Sequence, residues 1–253
     1  MANLLRTAKS GNDWTQAELA AYNITIVTQT KAQFFETNNF PEPTYRSLVL
    51  FMADTSGGNT TNEDGEEKKA RIPNQEAHVI HFTYELLGAL DYDDNEHRRL
   101  LSSRCTLPFL ICGENASVRT DVCVLESNRS ISLLVQEGKG LPSTKDPEPQ
   151  LIAGAIAAFA ANNNKRERNS LTPLDTIMFP GLTMCGTTPV FYKITVTSAL
   201  SEAVQQGTYP NVETRVFRYV PDLPDPNSEG MRPLSNRVEI LRYLLAFKKF
   251  MGD

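Results

Sequence analysis

The sequence predicts an α/β fold in which one helix is followed by three antiparallel strands, a crossover helix and a further strand. Three observations support this prediction. A stripe of apolar residues at helical spacing begins near Glu76. Residues 118–137 form two β-rich runs joined by a short polar turn. Residues 150–162 are apolar on nearly all sides, as in a helix buried across a sheet.

Length and composition are those of a globular chain. The 253 residues can bury a sizeable core, and a hydrophobic fraction of 40% excludes a wholly disordered chain. The longest apolar run, residues 151–161, is shorter than the roughly 20 residues of a membrane span, and the N-terminus lacks a secretory signal. We therefore expect an intracellular protein, cytoplasmic or nuclear, that does not contact a membrane.

Net charge bears on contact with nucleic acid, and cysteine usage bears on disulfide and zinc sites. The net charge of −5 repels polyanions, so contact with nucleic acid would need a local basic patch. The four cysteines form no CxxC pair and lie in apolar or strand-like stretches. This context favours reduced core thiols over a disulfide or zinc site.

Composition divides the chain into three parts. Residues 1–52 form an N-terminal arm that we expect to pack on the core. Within it, Asp13 is predicted to cap a short helix. Residues 24–27 are predicted to form a strand, and residues 34–41 an aromatic loop. Residues 53–74 are polar and charged with almost no apolar side chain, which predicts a flexible insertion. Residues 75–253 form the main domain.

The main domain begins with a helix from Glu76 to about Tyr92. Glu76 lies at the start of its apolar stripe and can face the core. The further elements are predicted as strands at 104–111, 118–125 and 131–137, a helix at 150–162, a basic loop at 162–170, strand pieces at 176–179 and 182–185, strands at 190–196 and 214–220, and helices at 198–206 and from Asn236. The C-terminal hairpin and helix are predicted as additions to the core.

Two acids and a lysine stand out against the apolar strands of the 118–137 hairpin. Asp121 lies within the first strand, and Glu137 and Lys139 lie at the exit of the second. Burying a charge in a sheet is costly unless something compensates for it. Carboxylate oxygens suit Mg²⁺, which stabilises charge on a phosphate group, and a lysine adds positive charge nearby. The pattern indicates a metal site; a solvated salt bridge at the strand edge is the alternative.

An acid followed sixteen residues later by Glu-Gly-Lys, within this order of elements, resembles the PD-(D/E)xK nuclease superfamily. The resemblance covers roughly residues 76–196. The phrases LPFLICGEN, TDVCVLE, LLVQEGKG, FPGLTMCGTTPVFYKI and GMRPLSNR are also similar to those of a basidiomycete fungal group within it. The resemblance implies a restriction-endonuclease-like core and a metal-dependent nuclease that hydrolyses nucleic-acid phosphodiester bonds.

The resemblance also implies roles for particular residues. Asp121 and Glu137 would bind Mg²⁺ or Mn²⁺, and Lys139 would position or activate the attacking water. An acid on the preceding helix would join them, with Glu76 as first choice and Glu85 as second. Gln150 would be a catalytic glutamine on the crossover helix. Nucleic acid is the implied partner, DNA favoured over RNA, and a homodimer is compatible with this interpretation.

Strand geometry sets a condition on this site. Residues opposed on neighbouring antiparallel strands share a face. A two-residue loop at 128–129 would set Asp121 opposite Gln136 and separate the two acids. A three-residue loop at 128–130 would set Asp121 opposite Glu137, and we predict this loop or a bulge with the same effect.

A second interpretation remains open, in which the chain is a catalytically inactive nuclease-like domain that serves as a binding or interaction module. The acidic composition favours it. So do two departures from the family pattern: Thr120 stands where the family has proline before the acid, and Gly154 stands where some branches have tyrosine. The basic residues 165–168 fit either a phosphate contact or a solvated loop.

Overall fold

A computed structural model describes residues 7–44, 75–94, 96–138, 146–225 and 230–252, with only the backbone of residues 75–77 and 137–138. The predicted insertion, 53–74, lies outside the described residues. Within them the chain forms a mixed seven-stranded sheet covered by helices, which confirms the α/β class.

The sheet has the order β1-β7-β6-β5-β4-β3-β2. β1 pairs with β7 and β4 with β5 in parallel, and all other neighbours are antiparallel. The strands are β1 (Ile24–Thr28), β2 (Leu100–Ile111), β3 (Glu114–Leu125), β4 (Ile131–Gly138), β5 (Thr176–Cys185), β6 (Thr188–Thr197) and β7 (Thr214–Tyr219). The N-terminal arm therefore supplies an edge strand to the sheet that the rest of the chain builds.

Helices cover both faces of the sheet. They are α1 (Gln16–Ala21), α2 (Lys31–Phe35), α3 (Gln75–Ala89), α4 (Glu148–Arg168), α5 (Ser198–Gln206) and α6 (Leu234–Phe247). One buried apolar cluster joins α1, α4 and α5 to the sheet, and a second joins α2, α3 and α6. The two clusters make a three-layer arrangement in which α4 is the central helix of the first face.

The middle of the chain has the predicted order of elements. Helix α3 precedes the antiparallel strands β2, β3 and β4, and α4 then leads to β5, which runs parallel to β4. A parallel neighbour requires such a crossover. The strand pieces at 176–179 and 182–185 are one strand, because Pro180 and Gly181 stay in the ladder with β6.

Several boundaries differ from the prediction. Helix α1 is capped by Thr15 rather than Asp13, because Thr15 and Glu18 form a capping box. Part of the predicted aromatic loop is helix α2, whose Phe34 and Phe35 are fully buried. Helix α6 begins at Leu234, so Asn236 does not cap it; its buried side chain instead bonds the backbone of residues 225 and 230.

The four cysteines are free thiols. Cys123 is buried, as predicted for a core thiol, but Cys185 is exposed at the end of β5. Across the described residues, every helix is too short or too polar to cross a bilayer.

Gly11 holds the N-terminal segment against the core. A Cβ atom at this position would lie 2.6 Å from Cβ of Val118 and 3.2 Å from Cβ of Ala153. Gly11→Ala is therefore expected to lower the free energy of unfolding by about 1–3 kcal/mol, because the overpacking must be relieved by movement of β3 or α4. Urea denaturation measures this change.

Gly154→Ala is the matched control for Gly11→Ala. The nearest side-chain atom to a Cβ at Gly154 is 3.9 Å away, an ordinary contact, and the position is inside α4. Alanine there is expected to raise the free energy of unfolding by about 0.5–1 kcal/mol. Equal effects of the two substitutions would contradict the close packing at Gly11.

Candidate functional site

The predicted site residues are distributed over two strands and two helices. Asp121 lies in β3 with 7% of its surface exposed, and Gln150 lies in the first turn of α4. Glu76 belongs to α3 and Glu137 to β4, and the structure describes only their backbone. Lys139 lies outside the described residues.

The turn between β3 and β4 has three residues but begins one position earlier than predicted. Glu126 N donates to Ser130 O at 2.8 Å, and Arg129 N donates to Glu126 O at 2.6 Å. Arg129 has a positive φ of 63°, as expected at the end of a three-residue hairpin loop. The loop therefore covers residues 127–129 rather than 128–130.

A bulge in β4 then sets the register beside Asp121. The paired residues are Leu125–Ile131, Val124–Leu133, Cys123–Leu134 and Val122–Val135. One extra residue of β4, Ser132, lies between the first two pairs. Continued by one position, this register sets Asp121 opposite Gln136. The prediction that Asp121 lies opposite Glu137 is wrong. The loop and the bulge together set Asp121 opposite Gln136, which is the pairing that the sequence analysis expected to separate the two acids.

The side chain of Gln136 contacts Asp121 directly. Its Nε2 donates a hydrogen bond to Oδ2 of Asp121, and the two residues are 5% and 7% exposed. A hydrogen bond to a charged acceptor stabilises a carboxylate that is removed from water. The hydrogen bond from Gln136 therefore offsets part of the cost of burying the Asp121 carboxylate.

Polar contacts continue across the sheet from Gln136. It pairs in register with Thr183 of β5, whose hydroxyl lies 3.4 Å from the phenol oxygen of Tyr192. The Tyr192 phenol donates to Oε1 of Glu148 at 2.7 Å, and Nη1 of Arg218 donates to the same oxygen at 2.7 Å. We call the following residues the polar row: Asp121, Gln136, Thr183, Tyr192, Glu148 and Arg218.

Burial and charge fix the protonation of two groups in the polar row. Burial, and then the charge of Glu148, raise the pKa of the Tyr192 phenol far above its ordinary value. The hydrogen bond to Glu148 raises the pKa of Arg218. The phenol and the guanidinium therefore both remain hydrogen-bond donors to Glu148 throughout the neutral range.

Arg218→Met tests how much the polar row stabilises the fold. The Glu148 side chain is 12% exposed and loses its cationic partner in this variant. The free energy of unfolding is expected to fall by about 1–3 kcal/mol, less than for a fully buried pair because Arg218 itself is 32% exposed. Thermal unfolding would show a drop of roughly 2–4 °C per kcal/mol.

Arg215→Met is the control for this substitution. Arg215 lies three residues earlier on β7 and pairs with Glu213, with side chains 66% and 38% exposed. An exposed pair contributes about 0–1 kcal/mol. A loss as large in Arg215→Met as in Arg218→Met would show that burial of Glu148 does not determine the effect.

Among the described residues, the side-chain hydrogen bonds of Gln150 connect α4 to β3 and to Asn12, and none of them goes to Asp121. Its Nε2 donates to Oδ1 of Asn12 at 3.1 Å and to the backbone oxygen of Arg119 at 3.3 Å. Asn12 also accepts from the backbone N of Arg119 at 2.9 Å. Gln150 therefore fixes the first turn of α4 two residues from Asp121 along β3.

The predicted basic loop at 162–170 is helical for most of its length. Helix α4 continues to Arg168, with Lys165, Arg166 and Arg168 in its last turn. Basic residues suit the negative end of a helix. Because these residues lie near the end of α4, which has 21 residues at a rise of about 1.5 Å each, they are roughly 25–30 Å from Glu148. They are too far away to line a groove with the polar row.

The described residues include one side chain of the predicted metal site. No group of three His, Cys, Asp or Glu side chains able to hold an ion occurs among them. Among the first-choice ligands, Asp121 is the one whose side chain is described, and one of its oxygens accepts from Gln136. Glu85, the second choice on α3, is exposed. Asp121 therefore fits a metal ligand by chemistry and burial, and the remaining ligands are predictions.

Sequence reasoning missed Gln136, Glu148, Tyr192 and Arg218. Gln136 adjoins the Glu-Gly-Lys motif, but it is neutral, and the sequence analysis considered only the charged residues of the hairpin. A signal existed for Glu148, an acid between two prolines at a helix start. Tyr192 and Arg218 carry no local signal, because only the register of β5, β6 and β7 brings them to Glu148.

Comparison with models of known protein families and with curated protein sequences found no match.

Proposed function

We propose that this chain is a metal-dependent nuclease with a restriction-endonuclease-like core, which hydrolyses phosphodiester bonds of nucleic acid. The observation that carries the proposal is the order and pairing of the central elements. Helix α3, antiparallel β2 to β4, and α4 leading to a parallel β5 are the elements that the superfamily resemblance implies.

Asp121 supports the assignment by its position. It is a buried acid in the middle strand of the antiparallel three, where a carboxylate needs a specific partner. In the proposal Asp121 and Glu137 hold Mg²⁺ or Mn²⁺, and Glu76 joins them from α3. This arrangement requires Glu137 to reach the face of Asp121, although the β3–β4 register sets Gln136 there. The ion supplies positive charge that stabilises the phosphate as it reacts.

The residues around the ion have separate roles in the proposal. Lys139 places its ammonium beside the phosphate and positions the attacking water. Gln150 holds the first turn of α4 on β3 through the Arg119 carbonyl and can turn its amide toward the substrate. Gln136 holds one oxygen of Asp121 in place, which orients the carboxylate.

A second candidate function is favoured by the register of β3 and β4. Asp121 faces Gln136 in this register, and its carboxylate accepts that amide. A neutral amide opposite the acid suits a protein that keeps the nuclease fold without a metal pair. Such a protein would bind nucleic acid or another partner without cleaving it.

Cleavage and binding assays on the wild-type chain separate the two functions. Labelled single-stranded DNA, duplex DNA and RNA are incubated with Mg²⁺, with Mn²⁺ or with EDTA. The nuclease proposal expects cleavage with either ion and none with EDTA. Binding without cleavage under all these conditions would support the second function. Absence of both binding and cleavage would exclude both functions.

A further inference from the structure

Basic side chains gather at the end of the molecule where α4 meets the turn between β3 and β4. Asn162 of α4 donates from Nδ2 to Ile131 O at 3.0 Å, and its Oδ1 accepts from Ile131 N at 2.9 Å. Lys165 and Arg166 lie three and four residues after Asn162 and therefore share its side of α4. At a rise of about 1.5 Å per residue they extend roughly 5–6 Å past the start of β4, to the level of the turn that carries Arg129. We call Arg129, Lys165 and Arg166 the basic pole.

The guanidinium groups of the basic pole are presented to solvent. Arg129 is exposed in the three-residue loop and has the positive φ of 63° that such a loop requires. Arg166 donates from Nε to the backbone oxygen of Thr172 at 2.8 Å, which holds the plane of its guanidinium. The N–H groups on the two Nη atoms are further donors. A guanidinium held in this way loses little freedom when it binds an anion.

The charges of the basic pole are not neutralised within the part of the chain that the structure describes. None of the three cations has an ion pair there, and the acid at the base of the turn, Glu126, pairs with Arg99 at 3.3 Å. The negative end of α4 offsets part of the charge of Lys165 and Arg166, but Arg129 lies outside the helix. Like charges held close together repel each other. An external anion would remove this repulsion.

The side chains around the basic pole suit a phosphate backbone. They are exposed amides and hydroxyls in the turn and directly after α4: Ser127, Asn128, Asn169 and Ser170. Such side chains, together with arginine and lysine, make most protein contacts to phosphate oxygens and sugars, and the arginine fork matches a phosphate group. A chain with a net charge of −5 needs a local patch of this kind to approach a polyanion.

We propose that the basic pole binds the phosphates of nucleic acid at a surface separate from the metal site. The inference rests on the substrate class of the proposed function and adds a second contact to it. Lys165 and Arg166 are roughly 25–27 Å from Glu148 along α4, at about 1.5 Å per residue. The basic pole therefore contributes affinity for nucleic acid without taking part in the chemical step.

Two other roles for these cations lead to different results. If Lys165 and Arg166 serve only the negative end of α4, their loss lowers stability but leaves the salt dependence of binding unchanged. A negatively charged membrane surface is the other anionic partner, because Leu171 and Leu174 are 52% and 41% exposed after α4. Membrane-surface binding needs a continuous apolar face beside the basic one, whereas residues 127–129 and 167–170 are polar. This composition favours nucleic acid.

The test measures fluorescence anisotropy of labelled duplex DNA in EDTA, between roughly 50 and 200 mM salt. Arg129→Ala and Arg166→Ala are each expected to weaken binding severalfold at low salt. Each is expected to reduce the slope of log affinity against log salt by about 1, as for one lost phosphate contact. Arg129→Lys keeps the charge and is expected to recover most of the slope, which separates loss of charge from misfolding.

Arg215→Ala is the control for the change in net charge. Arg215 is 66% exposed on β7 and already pairs with Glu213, so this variant is expected to bind DNA as wild type does. Unchanged slopes in Arg129→Ala and Arg166→Ala would overturn the inference, as would an equal loss in Arg215→Ala or absence of DNA binding by the wild type. Co-flotation with phosphatidylserine vesicles that Arg129→Ala abolishes, without DNA binding, would assign the surface to lipid instead.

The outcome is independent of cleavage. Reduced slopes in both alanine variants, with no cleavage by the wild type, would support the inference and contradict the nuclease. Cleavage by the wild type with unchanged slopes would do the reverse. If both proposals hold, Arg129→Ala is expected to cleave at the wild-type rate once the protein saturates the substrate.

Discussion

Glu137→Ala is expected to lower the rate of Mg²⁺-dependent phosphodiester cleavage by roughly 10²–10³-fold. The reason is that the variant removes a carboxylate ligand, so positive charge is lost at the position where negative charge develops on the phosphate. Lys139→Ala is expected to lower the rate by a similar factor, through loss of its ammonium. Single-turnover rates on a labelled substrate at saturating protein measure the chemical step directly.

Glu114→Gln is the matched control for Glu137→Ala. Glu114 is an exposed acid at the start of β3, at the opposite end of that strand from the β3–β4 turn. Its substitution is expected to leave the rate unchanged. If wild type, Glu137→Ala and Lys139→Ala all cleave at the same rate, the catalytic assignment fails, and any cleavage belongs to other residues or to a contaminant.

Gln136→Glu is expected to make the stability of the chain depend on pH and on divalent ions. The register sets a second carboxylate against Asp121 in this variant, and both positions are nearly inaccessible to solvent. Two carboxylates in contact raise the pKa of one of them. At neutral pH the free energy of unfolding is expected to fall by about 1–3 kcal/mol, and Mn²⁺ or Ca²⁺ is expected to restore it by binding the folded state.

The sign of the pH effect follows from the raised pKa. A carboxyl whose pKa is higher in the folded state than in the unfolded state destabilises the fold at pH values above its folded pKa. The stability lost by Gln136→Glu should therefore return as the pH is lowered into the acidic range. Chemical denaturation at several pH values, with and without the ion, measures both effects.

Gln205→Glu controls for the change of charge. Gln205 lies on α5, and its amide donates to the hydroxyl of Ser201. No ion dependence is expected there. If Gln136→Glu shows no more ion dependence than Gln205→Glu, the side chain at 136 does not face Asp121 and the register of the hairpin must differ.

The sequence was sufficient for the class of fold because local patterns determine it. The β-rich runs around Asp121, the apolar helix after Pro147 and the turn at Gly207 are each local patterns, and each element exists where the prediction put it, although α4 continues to Arg168 through the predicted loop. Boundaries were less accurate where two residues compete for one role. Thr15 rather than Asp13 caps α1 because Glu18 completes its capping box.

The register of the hairpin could not be read from the sequence for a physical reason. A bulge at Ser132 shifts the pairing by one residue, and nothing in the residue types at 131–133 marks it. The prediction of a three-residue loop was right in length but wrong in position. The partner of Asp121 therefore changed from Glu137 to Gln136.

The polar row lay beyond sequence reasoning because its members are distant along the chain. Glu148 meets Arg218 across 70 residues and Tyr192 across 44. Only the order of strands in the sheet brings them together.

A crystal structure of the chain soaked in Mn²⁺ tests the metal site most directly, because the anomalous signal of the ion locates it without reference to activity. The nuclease proposal predicts an ion about 2.0–2.2 Å from an oxygen of Asp121 and from an oxygen of Glu137, as in six-coordinate carboxylate sites for small divalent ions. A map with no ion there, and with Asp121 held by the amide of Gln136 alone, would contradict it.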